Sequence, residues 1–164
     1  MFRIGTAGWS IPRAAAERFP GAGTHLARYA RVMPCAEIDT SFYRSHARAT
    51  YEKWASYTPR SFRFAVKLPR SITHDGRLKG ARAELEKFLA EVAGLGEKLG
   101  VLLVQLPPKL VLEKRVAGGF FRALRKRVDV PVACEPRHAS WFTADANDWL
   151  AGRENGPARK EHER

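Results

Sequence analysis

With 164 residues and 45% apolar side chains, the chain is long enough for one domain with its own core. It has no run of about 18 apolar residues, which excludes a transmembrane helix. The formal net charge of +12 points to an anionic partner, whether nucleic acid, a phosphorylated metabolite or a membrane surface, although the excess of arginine over lysine and the plentiful alanine are also what a GC-rich coding sequence produces.

The first ten residues, MFRIGTAGWS, read as a strand over Arg3 to Gly8. They lack the basic start and apolar stretch of a signal peptide, so a cytoplasmic protein without membrane attachment is expected. Thr24 is an N-cap for a helix whose Leu26, Tyr29, Ala30 and Met33 fall on one face. Ala36 to Phe42 reads as a second strand. Thr50 caps a second helix carrying Tyr51, Trp54 and Ala55 and stopped by Pro59. In the third strand, Phe62 to Leu68, the residues Phe62, Phe64 and Val66 alternate with Arg63, Ala65 and Lys67.

The longest helix is expected from about Ala81 to Leu95, with Leu85, Phe88, Leu89 and Val92 as its stripe. Val101 to Leu106 is, Gln105 apart, a continuous apolar run, suited to a strand buried on both faces of a parallel sheet. A helix from about Glu113 to Arg127 follows, presenting Val116, Phe120 and Leu124. Val130 to Glu135 is the fifth strand, and Thr143 begins a fifth helix with Ala146, Trp149 and Leu150. Cys35 and Cys134 stand in no CxxC or Cys/His cluster and read as buried free thiols in strands.

Five β-α units in strict alternation argue for a parallel sheet with right-handed crossovers. An open doubly wound sheet and a closed barrel both satisfy this. No GxGxxG follows the first strand, so the dinucleotide-binding version of the open sheet has no support.

Five segments in order carry a resemblance: IGTAGWS (Ile4 to Ser10), EIDTSFYR (Glu37 to Arg44), FAVKLPRSITH (Phe64 to His74), KLGVLLVQLPP (Lys98 to Pro108) and EPRHASWF (Glu135 to Phe142). Over residues 2 to 150 the chain resembles the YecE-like family, domain-of-unknown-function family 72. The resemblance implies a TIM-type (β/α) barrel of about 250 residues and no particular reaction. Set against it, the chain reads as the N-terminal part of such a barrel, truncated after the fifth unit, with residues 151 to 164 as a disordered charged tail. Its unclosed sheet would expose two parallel edges, through which self-association is expected.

In a barrel, chemistry sits at the C-terminal ends of strands and in the loops after them. That rule selects Glu37 and Asp39 from the second strand, two apart and so on one face. It adds Lys67 from the third, Gln105 from the fourth and Glu135 from the fifth. His74 and His138 lie just past strand ends, where each is a general base, a metal ligand, a hydrogen-bond donor to phosphate, or a hydrogen-bonded structural residue. Glu37, Asp39, Lys67, His74, Glu135 and His138 are therefore the catalytic candidates. The alternative for the carboxylates and Lys67 is a structural ion-pair layer filling the barrel.

Arg44, Arg70 and Arg137, with Gln105, are candidates for binding an anion. Trp9, Tyr43 and Trp141 are placed near the mouth, to stack on a ligand or to close the barrel top by packing. A divalent metal on Glu37, His74, Glu135 and His138 requires the four to converge, and no HxxxH or HxH spacing indicates one, so the cofactor is left open. Three functions compete. One is a barrel enzyme acting on a phosphorylated or other anionic substrate, with phosphoester hydrolysis, including in nucleic acid, as its most concrete form. The others are a nucleic-acid-binding protein without catalysis and a fragment with no activity of its own.

Overall fold

The computed structural model describes residues 2–154. Five strands alternate with five helices: β1 (Thr6–Ala7), α1 (His25–Tyr29), β2 (Cys35–Ile38), α2 (Arg48–Ser56), β3 (Arg63–Lys67), α3 (Arg82–Val92), β4 (Leu99–Gln105), α4 (Lys114–Arg125), β5 (Val132–Glu135) and α5 (Ala144–Glu154). Every adjacent strand pair is parallel, and the order across the sheet is the order along the chain. This order decides between the two architectures the sequence allowed. Right-handed crossovers joining strands in sequential order place every helix on one side, whereas a doubly wound sheet must reverse its order somewhere. The fold is a five-stranded α/β partial barrel.

Strand alternation sorts the two faces. Ala36, Ile38, Phe64, Val66, Leu102 and Val104 are buried under the helices. Glu37, Ala65, Lys67, Val101, Leu103 and Gln105 point the other way and are half-buried. The expectation that β4 is buried on both faces is therefore corrected: its helix side is packed, while its other side lines a concave face that no described element covers. Cys35 and Cys134 are free, as read, but half-buried. Burial pushes the Cys134 thiol up to about 12.

Local chemistry explains most boundaries. Thr24 Oγ1 accepts the Ala27 N–H at 3.2 Å and caps α1, a cap worth about 1 kcal/mol. Thr143 Oγ1 does the same for Ala146 N in α5. Thr50 does not cap α2: the helix begins at Arg48 after an extended Ala47, and Thr50 N already donates to Ala47 O at 2.8 Å. The long third helix passes after Val92 into a 3₁₀ turn, Ala93–Lys98, which is kinked at Gly96, where φ is 53°. β1 is paired only at Thr6 and Ala7, shorter than expected. It is anchored by Tyr29, whose hydroxyl accepts from Thr6 N at 2.9 Å and donates to Cys35 O at 3.1 Å. The last helix runs to Glu154, beyond the boundary expected at 150; of the expected tail, residues 155 to 164 lie outside the described residues.

Candidate functional site

β2 stops at Ile38 and not at Phe42. Asp39 takes helical angles (φ −90°, ψ −19°) and leads a 3₁₀ turn, Thr40–Phe42. Glu37 and Asp39 therefore do not continue one strand face, which corrects the reading from their spacing. The turn is fastened to β3 by Ser41, whose Oγ is 2.6 Å from Lys67 O and 2.9 Å from Ile38 O. This brings Phe42 over the end of β3, where Lys67 Nζ stands 4.5 Å from the centroid of its ring.

On the concave face, Glu37 is level with Ala65, Lys67 with Leu103, and Gln105 with Glu135. Desolvation by burial raises the Glu37 carboxyl above its ordinary range; Lys67 opposes the shift, while Asp39 and Glu135 add to it. Glu37, Asp39, Lys67 and Glu135 thus share one field. Gln105 Nε2 donates to Glu135 Oε1 at 2.9 Å. Arg137 donates to the same oxygen from Nε at 3.2 Å and Nη2 at 3.0 Å. At about half exposure this ion pair is worth on the order of 0–1 kcal/mol, so it orients Glu135 more than it stabilises the fold.

His74 sits in a single π-helical turn, Ser71–Asp75, that the sequence reading did not foresee. Its Nδ1 is 2.9 Å from Thr73 Oγ1, and its ring meets Phe42 edge-on at 4.9 Å. Burial lowers its pKa first; Arg70, Lys67 and Arg137 lower it further, and Asp75 opposes them. Lys67 acts on both Glu37 and His74. Arg70 donates to Asp75 Oδ1 at 3.3 Å. Two of the three arginines expected to greet an anion therefore already hold carboxylates. Arg44 is exposed; its backbone N–H donates to Thr40 O at 3.2 Å, and its guanidinium holds no carboxylate among the described residues.

Four candidates lie elsewhere. His138 Nδ1 accepts the Ser140 N–H at 3.1 Å and caps the turn Ala139–Trp141, a structural role that accounts for its place in the sequence. Trp141 is buried, and its Nε1 donates to Leu110 O at 2.9 Å. Trp9 packs edge-on against Trp54 at 5.2 Å and Phe64 at 6.1 Å, on the helix side of the sheet. Tyr43 is 76% exposed beside Phe42. Among the described residues, no three His, Cys, Asp or Glu side chains gather around a point that could hold a metal ion, so Glu37, His74, Glu135 and His138 do not converge. No described helix is long and apolar enough to cross a membrane.

The sequence reading missed Ser41 and Phe42, which it treated as strand residues, and Tyr51, which it treated as part of an apolar stripe. Tyr51 lines a cavity of about 220 Å³ between the loops after β2 and β3 and the flank of α3.

A family model described as "Protein of unknown function DUF72" matches residues 3–156. The UPF0759 protein YunF of Bacillus subtilis is 31% identical over a 157-residue alignment that covers 87% of this chain and 53% of that protein. The UPF0759 protein YecE of Escherichia coli K12 is 30% identical over 107 residues, covering 65% of this chain and 38% of that protein. A crystal structure of a DUF72 family protein from Enterococcus faecalis superposes with a TM-score of 0.74 at 25% identity, over 92% of this chain and 56% of the other. One from Thermotoga maritima gives 0.71 at 23% identity over 93% and 62%, a likeness of fold alone. The chain spans about half the length or less of the curated relatives it matches. With its alternating units matched almost end to end, the chain belongs to the DUF72 family.

Proposed function

We propose that the strand tips form an acid–base site for an anionic substrate, with hydrolysis of a phosphate ester as the reaction it suits best. The observation that carries this reading is the position of Lys67, an ammonium acting at once on a carboxyl with a raised pKa and an imidazole with a lowered one. Pairs of titratable groups whose environments push them apart mark acid and base roles. In this reading His74 accepts a proton from the attacking water as its oxygen bonds to phosphorus. Glu37 gives its proton to the leaving oxygen as the P–O bond breaks. Lys67 and Arg137 hold the phosphoryl charge, and Gln105 keeps Glu135 turned toward Arg137.

The test is hydrolysis of p-nitrophenyl phosphate and its diester, with and without magnesium or manganese, alongside phosphorus NMR of inorganic phosphate binding. Glu37→Gln is expected to lower turnover by about 10²-fold or more, and Lys67→Met to weaken phosphate binding. Absence of both binding and turnover in the parent protein would sink the reading.

The charge favours a second reading at a different place. Residues 114–127, covering α4 and the turn after it, hold Lys114, Arg115, Arg122, Arg125, Lys126 and Arg127 and no acid. Phe120 and Leu124 bury the opposite stripe of the helix. A non-catalytic polyanion surface there would bind duplex DNA with a log–log salt slope of about −0.9 per phosphate, reduced by Arg122→Glu with Arg125→Glu.

A further inference from the structure

The outer face of α4 is built against the stability of its own helix. Phe120 and Leu124 bury one side. At about 100° per residue, Arg115, Arg122 and Lys126 fall on the opposite side, and all three are exposed. Arg122 stands three residues from Arg125 and four from Lys126, spacings at which like charges repel. Arg115 lies in the first turn, where the helix dipole disfavours a cation and no acid offsets it. Gly119 shares this outward stripe and weakens a helix interior. Packing does not require it, because a Cβ there would meet no neighbouring atom within 4 Å.

The flanks of the helix are neutralised, and its crest is not. Lys114 reaches Asp145 Oδ1 at 2.6 Å, and Arg127 reaches Glu86 Oε1 at 2.8 Å. Arg115, Arg122 and Lys126 hold no carboxylate among the described residues. Local choices that break helix rules without a compensating contact are characteristic of functional surfaces.

We propose that this stripe lies along the sugar-phosphate backbone of duplex nucleic acid and binds it without regard to base sequence, with Gly119 as the point of closest approach. The inference rests on the polyanion reading of α4 given above, and it adds the form of the ligand, the part of it that is touched and the role of the glycine. From Arg115 to Lys126 the stripe rises ~16 Å, about half a turn of duplex. A residue without a side chain between two arginines lets a phosphate come up to the helix itself. α4 holds no Asn, Gln, Asp or Glu to pair with adenine or cytosine edges, so its cations position the duplex and do not read it. Phe120 is buried and Phe121 half-buried, and neither ring stands free to stack on an unpaired base. Anionic lipid is the weaker match: a helix that binds a membrane inserts its apolar face, and that of α4 is already packed in the core.

The experiment is fluorescence anisotropy of the full chain with two short duplexes of unrelated sequence and with their separate strands, from about 50 to 200 mM salt. Cosedimentation with phosphatidylserine vesicles is run beside it, and thermal denaturation reports the fold of each variant. The two duplexes are expected to bind equally, and more tightly than either strand. Arg115→Gln with Arg122→Gln is expected to make the log–log salt slope shallower by about 1.8, two phosphates at about 0.9 each. Arg13→Gln with Arg18→Gln removes the same net charge at exposed positions before α1 and is expected to leave the slope unchanged. Gly119→Gln is expected to weaken duplex binding and to make the slope shallower by about 0.9. Its thermal midpoint stays or rises, because glutamine favours a helix and the space around the glycine is open.

If the parent binds no duplex, prefers the vesicles, or loses as much slope with the Arg13 and Arg18 pair, the polyanion reading of α4 falls and this inference falls with it. If Arg115 and Arg122 carry the binding but the two duplexes differ, or the single strands bind better, the reading stands and the inference is overturned. Gly119→Gln binding as the parent does, or lowering the thermal midpoint, overturns the role given to the glycine.

Discussion

Lys67 Nζ lies 4.5 Å from the centre of the Phe42 ring, and that contact holds the ammonium at the tip of β3. Phe42 is in place because Ser41 ties its turn to the carbonyl of Lys67 itself. The cation and the ring it faces are thus fixed by one short loop, and the field on Glu37 follows from that geometry.

Replacing Lys67 tests the field directly. Lys67 lowers the Glu37 pKa, so Lys67→Met should raise it further. A carbon-detected NMR titration of the Glu37 carboxyl reads the change. An unmoved titration curve would show that the two groups do not share a field.

Glu37 itself gives a pH signature in stability. Its folded pKa lies above the 4.5 of the free group, so the folded state binds more protons than the unfolded one between those values. The stability this contributes is fully present below pH 4.5 and is lost as pH rises through the folded value. Glu37→Gln should therefore gain on the parent as pH rises from about 4 toward 7. Urea denaturation at both ends of that range checks it, and a parent that gains on the variant toward neutrality would contradict the burial argument.

His46 works in the opposite direction. It is 8% exposed, and burial lowers its pKa below 6.5, with Arg44 adding to the shift and Glu91 opposing it. In this case the unfolded state binds more protons, so stability is complete above pH 6.5 and falls as pH drops through the folded value. His74 contributes with the same sign, so the His46 share is read from His46→Gln, whose thermal midpoint should fall less than the parent's between about pH 7.5 and 5.

Gly94 is a packing requirement. A methyl group there would stand 2.5 Å from Arg48 O and 3.1 Å from the Tyr51 Cβ, where α2 crosses the turn after α3. Gly94→Ala should cost about 1–3 kcal/mol of stability, the range for overpacking, as measured by urea denaturation. An effect near zero would mean that α2 shifts freely, and Tyr51 with it.

Much of the architecture was legible in the chain. The alternation of Phe62, Phe64 and Val66 with Arg63, Ala65 and Lys67 determined which face of β3 meets the helices, because strand side chains alternate whatever surrounds them. Thr24 and Thr143 marked helix starts because a cap is a local interaction among four residues. The side of the sheet carrying Glu37, Lys67, Gln105 and Glu135 followed from the same periodicity.

Tertiary structure decided what periodicity does not contain. Asp39 left the strand because its turn is bonded across to β3, a contact between residues 26 apart in the chain. Trp9, Trp141 and His138 resembled mouth residues by position, yet packing turned the two tryptophans into the helix layer and a neighbouring N–H claimed the histidine. The sequential strand order, and with it the concave face, arose from long-range pairing that no local pattern encodes. The unpaired hydroxyl of Tyr51 belongs to the same class: a tyrosine in an apolar stripe looks the same from the sequence whether or not its oxygen finds a partner, and only the assembled walls around it settle which.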